Sequence, residues 1–141
     1  MEGRGLEPAL RSSAQESPRS IAKFILVVED DPDLGQLVAE VLESAGYRTA
    51  VAGNGAEALD RLQTIDHPDL ILLDMMMPVM DGWKFHEEQQ KVPAFASIPV
   101  ITVTADGNAR GKAASIQAAG YVTKPVTIDS LLDEVERVFG Q

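Results

Sequence analysis

The sequence predicts an α/β protein whose single sheet has five parallel strands in the doubly wound order 2-1-3-4-5. Short apolar runs alternate with helical patterns about five times from residue 23 onward, which implies repeated right-handed βαβ units. The runs are continuous rather than alternating in apolar character, as is typical of strands covered by helices on both faces. The predicted strands are Phe24–Val28, Tyr47–Ala52, Leu70–Leu73, Val100–Val103 and Tyr121–Thr123.

The first two helices have clear boundaries in the sequence. In the first, Asp31 is a suitable N-cap, Pro32 suits the first turn, and Gly46 ends an apolar stripe with helical spacing. In the second, Asn54 is the predicted cap and Glu57 follows three residues later, the spacing of a capping box. Each helix is therefore expected to pack one apolar face on the sheet.

The other three helices are less uniform. After Asp81 the third helix has few apolar residues, so we expect it to be short or partly exposed. The fourth, at about residues 110–118, is short and rich in alanine, and the fifth begins at Thr127 and carries apolar residues as far as Phe139. Together these elements predict a flavodoxin-like (βα)5 fold.

Length and composition indicate one ordinary folded domain. The chain has 141 residues, of which 45% are hydrophobic, and it contains no cysteine. Disulfides, thiolate metal sites and thiol catalysis are therefore excluded. Residues 1–20 are rich in Gly, Pro and Ser and predict a disordered N-terminal arm, so the domain is expected to span residues 21–141.

The charge distribution argues against two classes of partner. Acidic and basic residues cancel in the arm, so the formal charge of −10 belongs to the domain. An acidic domain binds a phosphate backbone poorly, and we therefore expect no nucleic-acid partner. No apolar run reaches the roughly 20 residues of a membrane span, and the N-terminus lacks the apolar core of a signal peptide. A cytoplasmic protein without membrane insertion is predicted.

Reactive side chains follow four of the predicted strands, at the edge where such sheets bind ligands. Three acids, residues 29–31, follow strand 1, while Asp74, Thr104 and Lys124 end strands 3, 4 and 5. Crowded carboxylates favour a hard divalent cation, with Mg²⁺ the leading candidate. A carboxylate can also attack phosphorus, and a lysine and a hydroxyl can donate to the phosphoryl oxygens. The pattern predicts a phosphoryl-transfer site without a nucleotide-binding loop.

Four segments, ILVVEDDPD, LILLDMMMPVMDGW, IPVITVTA and GYVTKP, occur in this order along the chain. They resemble the receiver domain of two-component response regulators, and the likeness extends over about residues 23–139. The resemblance implies that Asp74 is the phosphoacceptor and that Glu29 and Asp30 are the acidic pair. Asp30 would be the more direct Mg²⁺ ligand and Glu29 would act through water. The backbone carbonyl of Met76 would complete the ligands from the protein.

The resemblance also assigns roles around the transferred group. Thr104 and Lys124 are expected to contact the phosphoryl group. Tyr121 matches the aromatic switch position of the family, whose ring turns inward when the hydroxyl of Thr104 is drawn toward the phosphate. The Lys124–Pro125 peptide bond is expected to be cis.

Two positions are expected to tune the lifetime of the acyl phosphate, because they flank the path of the attacking water. They are Met76, two residues after the acceptor, and Asp106, two residues after the threonine. We expect the bulky, apolar Met76 to slow hydrolysis.

The function implied is that of a single-domain response regulator. A sensor histidine kinase or a phosphotransfer protein would phosphorylate Asp74 in the presence of Mg²⁺. The switch would change the face formed by the fourth helix, the fifth strand and the fifth helix, and a downstream protein target would bind one form. Such a chain catalyses its own phosphorylation and dephosphorylation and is not a conventional enzyme.

Three alternatives stay open at the level of sequence. The chain could be a receiver domain excised from a hybrid histidine kinase. An aspartyl-phosphate-type phosphatase would need a second aspartate two residues after the nucleophile, where Met76 stands. A flavodoxin-like cofactor binder would place its phosphate beside the three acids that follow strand 1, and those acids would repel it.

Overall fold

The computed structural model describes residues 22–105 and 107–140. The predicted arm, residues 1–20, and the predicted tuning residue Asp106 lie outside the described residues. The secondary-structure elements, in chain order, are β1 (Phe24–Val28), α1 (Pro32–Ser44), β2 (Arg48–Ala52), α2 (Gly55–Thr64), β3 (Leu70–Asp74), α3 (Gly82–Gln90), α4 (Pro93–Ala96), β4 (Val100–Thr104), α5 (Ala109–Ser115), β5 (Gly120–Thr123) and α6 (Ile128–Val138).

The five strands form one parallel sheet in the order β2-β1-β3-β4-β5, which confirms the predicted fold. The register aligns the carboxyl ends of the central strands. Val28 at the end of β1 pairs with Leu73 of β3, and Asp74 at the end of β3 pairs with Val103 of β4. Residues that follow β1, β3 and β4 are therefore brought together at one edge of the sheet.

Two apolar cores cover the two faces of the sheet. Successive strand residues alternate between them, so that Leu26 faces one core and Val27 the other. Helices α2, α3 and α4 complete the first core, and helices α1 and α6 complete the second. Every residue of β1, β3 and β4 is buried, which explains why these strands are apolar along their whole length.

Side-chain caps fix the start of four helices. Asp31 accepts hydrogen bonds from two backbone amides at the start of α1, and Asn54 accepts one from Glu57 at the start of α2. Asp81 and Thr127 cap α3 and α6 in the same way. These starts agree with the sequence predictions. Helix α5, by contrast, begins without a side-chain cap hydrogen bond.

The main departure from the predicted elements is the short helix α4, which the sequence pattern did not indicate. The side chain of Gln89, fully buried at the end of α3, donates to the carbonyl oxygens of Phe95 and Ile98 at 2.9 and 3.1 Å. The buried glutamine therefore supports the turn that α4 forms. Because glutamine is polar, the apolar pattern of the sequence did not indicate that this position is buried. Helix α5 also ends at Ser115, earlier than predicted, and Gln117 then adopts a positive φ of 55°.

Among the described residues, no helix combines the length and apolar character needed to cross a membrane.

Candidate functional site

Polar side chains are buried where β1, β3 and β4 end. Glu29 follows β1 and is 5% exposed, Asp74 ends β3 and is 2% exposed, and Thr104 ends β4 and is fully buried. Charged and polar groups are rarely buried this deeply without partners. Together with Lys124 after β5, these residues are called the reacting edge below.

Lys124 connects the two buried carboxylates. Its Nζ lies 3.2 Å from Oδ2 of Asp74 and 3.2 Å from Oε1 of Glu29. The lysine is 23% exposed, so one side of the ammonium group remains accessible to solvent. One cation thus balances part of the negative charge at the reacting edge and faces Asp74 directly. The Lys124–Pro125 peptide bond is cis, as the sequence predicted.

Backbone amides orient both carboxylates. The Met76 N–H donates to Oδ1 of Asp74 at 3.0 Å, and the Asp31 N–H donates to Oε2 of Glu29 at 3.1 Å. Asp74 is therefore held at both oxygens, by an amide on one and by Lys124 on the other. Hydrogen bonds of this kind fix a carboxylate in one orientation in advance of any reaction.

Three acids can reach a common cation. Carboxylate oxygens of Glu29, Asp30 and Asp74 lie within 4.8 Å of one another, and Asp30, unlike the other two, is exposed. Oxygen donors of this kind are the ligands that Mg²⁺ prefers, and an exposed acid beside two buried ones leaves room for water ligands. The acids predicted to bind metal therefore meet in one place, and their chemistry fits a hard divalent cation.

Burial and neighbouring charges change the pKa values of Glu29, Asp74 and Lys124 in this cluster. Burial is the main reason that the pKa of Glu29 rises to about 7, and the nearby charge of Asp74 contributes to this rise. Burial also raises the pKa of Asp74 above its ordinary value. Burial opposes the charge of Lys124, but the carboxylates of Asp74 and Glu29 outweigh it and raise the pKa of the lysine. A divalent cation would stabilise the ionised form of both carboxylates, which burial disfavours.

Tyr121, the predicted switch residue, lies apart from the acids. It is half-buried on β5, where it pairs with Thr102 of β4. Its backbone N–H donates to Glu134 of α6 at 3.1 Å. The reacting edge and Tyr121 are therefore separate features, joined through strands β4 and β5.

The close packing of one residue near the site was not predicted from the sequence. Gly82, at the start of α3, lies so close to β3 that a Cβ atom there would be 2.8 Å from Cα of Met75. The Asp-Gly helix start was the available signal, but it did not reveal this contact.

The comparisons with known proteins agree in what they find. The family described as response regulator receiver domain matches residues 25–136. The chemotaxis protein CheY of Halobacterium salinarum is 33% identical over 118 residues, which cover 84% of this chain and 98% of that protein. A high-resolution structure of the chemotaxis response regulator CheY4 of Vibrio cholerae superposes with a TM-score of 0.76 at 29% identity, over 83% of this chain and 98% of that one.

Other relatives are much longer than the region they share with this chain. Hybrid signal transduction histidine kinase D of Dictyostelium discoideum is 36% identical over 79% of this chain, which spans 7% of its length. The DNA-binding regulator RpaA of Synechocystis is 34% identical over 79% of this chain, which spans 46% of it. The expected absence of a nucleic-acid partner therefore stays a prediction. The matched family, the strand order and the acidic edge lead to one conclusion: the chain belongs to the receiver domains of two-component response regulators.

Proposed function

We propose that this chain is a phosphorylation-controlled binding module in which Asp74 accepts a phosphoryl group from a phosphohistidine. The donor would be a sensor histidine kinase or a phosphotransfer protein. The observation that carries the proposal is the setting of Asp74, a buried carboxylate held by the Met76 amide at 3.0 Å and by Lys124 at 3.2 Å. Such a carboxylate is positioned as a nucleophile rather than as a surface charge.

The proposed phosphoryl transfer requires one nucleophile from the chain, Asp74, and two donors, Lys124 and Thr104. An oxygen of Asp74 attacks phosphorus, the bond between phosphorus and the histidine nitrogen breaks, and the imidazole leaves as the acyl phosphate forms. Lys124, which contacts Asp74 and Glu29 before the reaction, would then donate to a phosphoryl oxygen, and Thr104 would donate to another. Burial strengthens both interactions because little water competes for the donors.

Glu29, Asp30 and Asp74 would hold Mg²⁺, together with the backbone carbonyl of Met76. When bound, the ion would neutralise charge on the phosphoryl oxygens and on the crowded carboxylates. The support for this assignment is the approach of the three acids within 4.8 Å and the raised pKa of Glu29, about 7. Asp30, as the exposed acid, is the ligand that water molecules can approach most easily.

The output would arise on the surface formed by α5, β5 and α6, called the output face below; these are the predicted fourth helix, fifth strand and fifth helix. Phosphorylation would draw Thr104 toward the phosphoryl group, Tyr121 would turn inward, and a downstream protein would bind the changed surface. The same switch would operate if the chain were a receiver domain excised from a hybrid histidine kinase. A cytoplasmic location and a disordered arm over residues 1–20 remain predictions.

Intact-mass measurement after incubation with acetyl phosphate and Mg²⁺ tests the proposal. The wild type should gain the mass of one phosphoryl group, and the gain should vanish in Asp74→Asn and when Mg²⁺ is chelated. Asp31→Asn is the matched control, because Asp31 is an exposed helix cap and asparagine also caps helices. That variant should be phosphorylated like the wild type.

An unmodified wild type, with Mg²⁺ present and the fold intact by circular dichroism, would refute the proposed function. Sustained release of phosphate from many equivalents of acetyl phosphate at a rate typical of enzymes would favour the phosphatase alternative instead.

A further inference from the structure

The sulfur chemistry of this chain resides in its methionines, because it contains five methionines and no cysteine. Four of them, Met75, Met76, Met77 and Met80, lie in the loop between β3 and α3. A thioether can be oxidised to a sulfoxide, which changes a flexible apolar side chain into a polar one. Which of the four an oxidant attacks first depends on how far each side chain is exposed.

Met76 differs from the other three in its exposure. Its side chain is 61% exposed, whereas Met75 and Met77 are buried in the core that α2 and α3 cover, and Met80 is half-buried against that core. A sulfoxide at Met75 or Met77 would place a polar oxygen in packed apolar surroundings, at a cost in stability. A sulfoxide at Met76 would face solvent and leave the core intact.

The backbone that carries Met76 is fixed relative to Asp74. The preceding residue, Met75, donates to the carbonyl oxygen of Val103 at 3.1 Å and accepts from the Gly82 N–H at 3.0 Å. The Met76 N–H donates to Oδ1 of Asp74 at 3.0 Å. A chemical change at the Met76 sulfur would therefore act from a constant position near the phosphoacceptor, without refolding of the loop.

We propose that Met76 is a redox-modification site, where a peroxide forms the sulfoxide and thereby shortens the lifetime of phosphorylated Asp74. The inference rests on the proposed function, because that lifetime exists only if Asp74 is phosphorylated. The sulfoxide oxygen accepts hydrogen bonds where the apolar side chain stood, so it can help to orient the attacking water. The expected direction is the one that a polar residue at this position would produce.

The oxidation step is balanced with hydrogen peroxide as the oxidant. The thioether sulfur attacks one peroxide oxygen, the O–O bond breaks, and a sulfur–oxygen bond forms. The sulfur is oxidised by two electrons, and the peroxide is reduced to water. Methionine sulfoxide reductases reverse this modification, so the change in lifetime should be reversible as well.

Peptide mapping tests whether the fold directs oxidation to Met76. The folded protein is treated briefly with hydrogen peroxide, the peroxide is removed with catalase, and the chain is digested with trypsin. The peptide of residues 62–84 contains all four loop methionines and is separate from Met1. Fragment masses should show one added oxygen at Met76 before any other position of this peptide. In guanidinium chloride the four methionines should react at similar rates.

Decay of the phosphorylated mass tests the consequence. Wild type, untreated or oxidised at Met76, is phosphorylated with acetyl phosphate and Mg²⁺, and the decay is followed after acetyl phosphate is removed. Oxidation should shorten the lifetime several-fold, and methionine sulfoxide reductases should restore it. In Met76→Leu, the same peroxide treatment should leave the lifetime of that variant unchanged.

The double variant Met76→Leu/Leu37→Met is the matched control for an exposed methionine elsewhere. Leu37 is 55% exposed on α1 and is not part of the reacting edge, and an exchange of leucine for methionine nearly preserves volume. The introduced methionine should be oxidised about as readily as Met76 of the wild type. Its oxidation should not change the lifetime of phosphorylated Asp74.

The inference is overturned if a buried loop methionine of the folded protein is oxidised as fast as Met76. It is equally overturned if oxidised wild type keeps the untreated lifetime, or if peroxide shortens the lifetime of Met76→Leu or of the double variant to the same extent. A wild type that is not phosphorylated at all would overturn the proposed function, and this inference with it.

Discussion

The reacting edge and the output face are built in different ways. At the reacting edge, Glu29 and Asp74 are almost completely buried and each receives a backbone hydrogen bond and the ammonium group of Lys124. On the output face, α5 has seven residues and no side-chain cap hydrogen bond, and Arg110 is exposed. On the proposed function, the chemistry would depend on a fixed geometry, whereas the response would depend on contacts that break at low cost.

The largest expected effect is at the centre of the reacting edge. Lys124→Gln removes the cation that faces Asp74 and should reduce the rate of phosphorylation by acetyl phosphate about a hundredfold or more. Rates measured by intact mass over time would check this. Since Arg110→Gln should change phosphorylation only a few-fold, similar losses in the two variants would remove the distinction between the two regions.

Packing should also differ between the start of α3, which lies against β3, and the segment just before α5. Gly82→Ala places a Cβ atom 2.8 Å from Cα of Met75 and should lower the free energy of unfolding by about 2 kcal/mol. Alanine is the better helix former, so a loss here reflects the contact and not helix propensity. Denaturant titration gives the value.

Gly107, just before α5, is the matched control for Gly82. A Cβ atom there meets nothing within 4 Å, so Gly107→Ala should change stability by less than about 0.5 kcal/mol. An equally large loss at Gly107 would mean that the loss at Gly82 does not come from its contact with Met75.

Proton and metal binding should be linked at the reacting edge. On the proposed assignment, Mg²⁺ would bind the ionised form of Glu29. Because the pKa of this residue without metal is about 7, protonation would compete with the metal below that pH. The apparent Mg²⁺ affinity should therefore rise with pH, by up to about tenfold between pH 6 and pH 8. Calorimetric titration at several pH values would measure this dependence.

Glu29→Gln is the control for this linkage, because it removes the titrating group and nearly preserves its size. This variant should bind Mg²⁺ more weakly at pH 8 and with a shallower dependence on pH. A wild-type affinity that is constant from pH 6 to pH 8 would show that Glu29 is already ionised in the metal-free protein.

A smaller effect is expected at Met76, which is 61% exposed and lies two residues after Asp74. Met76→Asn should shorten the lifetime of phosphorylated Asp74 several-fold, because a polar side chain at the path of the attacking water can help to orient that water. Met76→Leu, which stays apolar, should keep the wild-type lifetime. Decay of the phosphorylated mass after removal of acetyl phosphate measures both, and an unchanged lifetime in Met76→Asn would refute the hypothesis.

The sequence predicted the fold and the convergence of the reacting edge for the same physical reason. Parallel strands bring their carboxyl ends together, so an acid after β1, an acid at the end of β3 and a lysine after β5 become neighbours once the strand order is inferred. The sequence did not distinguish the burial of Glu29 from the exposure of Asp30, because that difference depends on how the chain leaves β1.

Contacts between side chains of separate elements could not be predicted. Glu134 and Arg137 read as ordinary surface charges of a helix, and nothing in their spacing indicates that they reach the edge of β5. Gln89 supports α4 by donating to the carbonyl oxygens of Phe95 and Ile98. Because Gln89 is polar, the apolar pattern did not indicate that it is buried, and α4 was not predicted. These features depend on the three-dimensional path of the chain and not on local periodicity.

The proposal that Asp74 accepts the phosphoryl group is tested by identifying which carboxylate carries that group. The chain is phosphorylated with acetyl phosphate and Mg²⁺, the acyl phosphate is reduced with borohydride, which converts a phosphorylated aspartate to homoserine, and the peptides are sequenced by mass spectrometry. We expect homoserine at position 74 and unmodified residues at positions 30 and 31. Modification at either of those acids, with Asp74 unchanged, would contradict it.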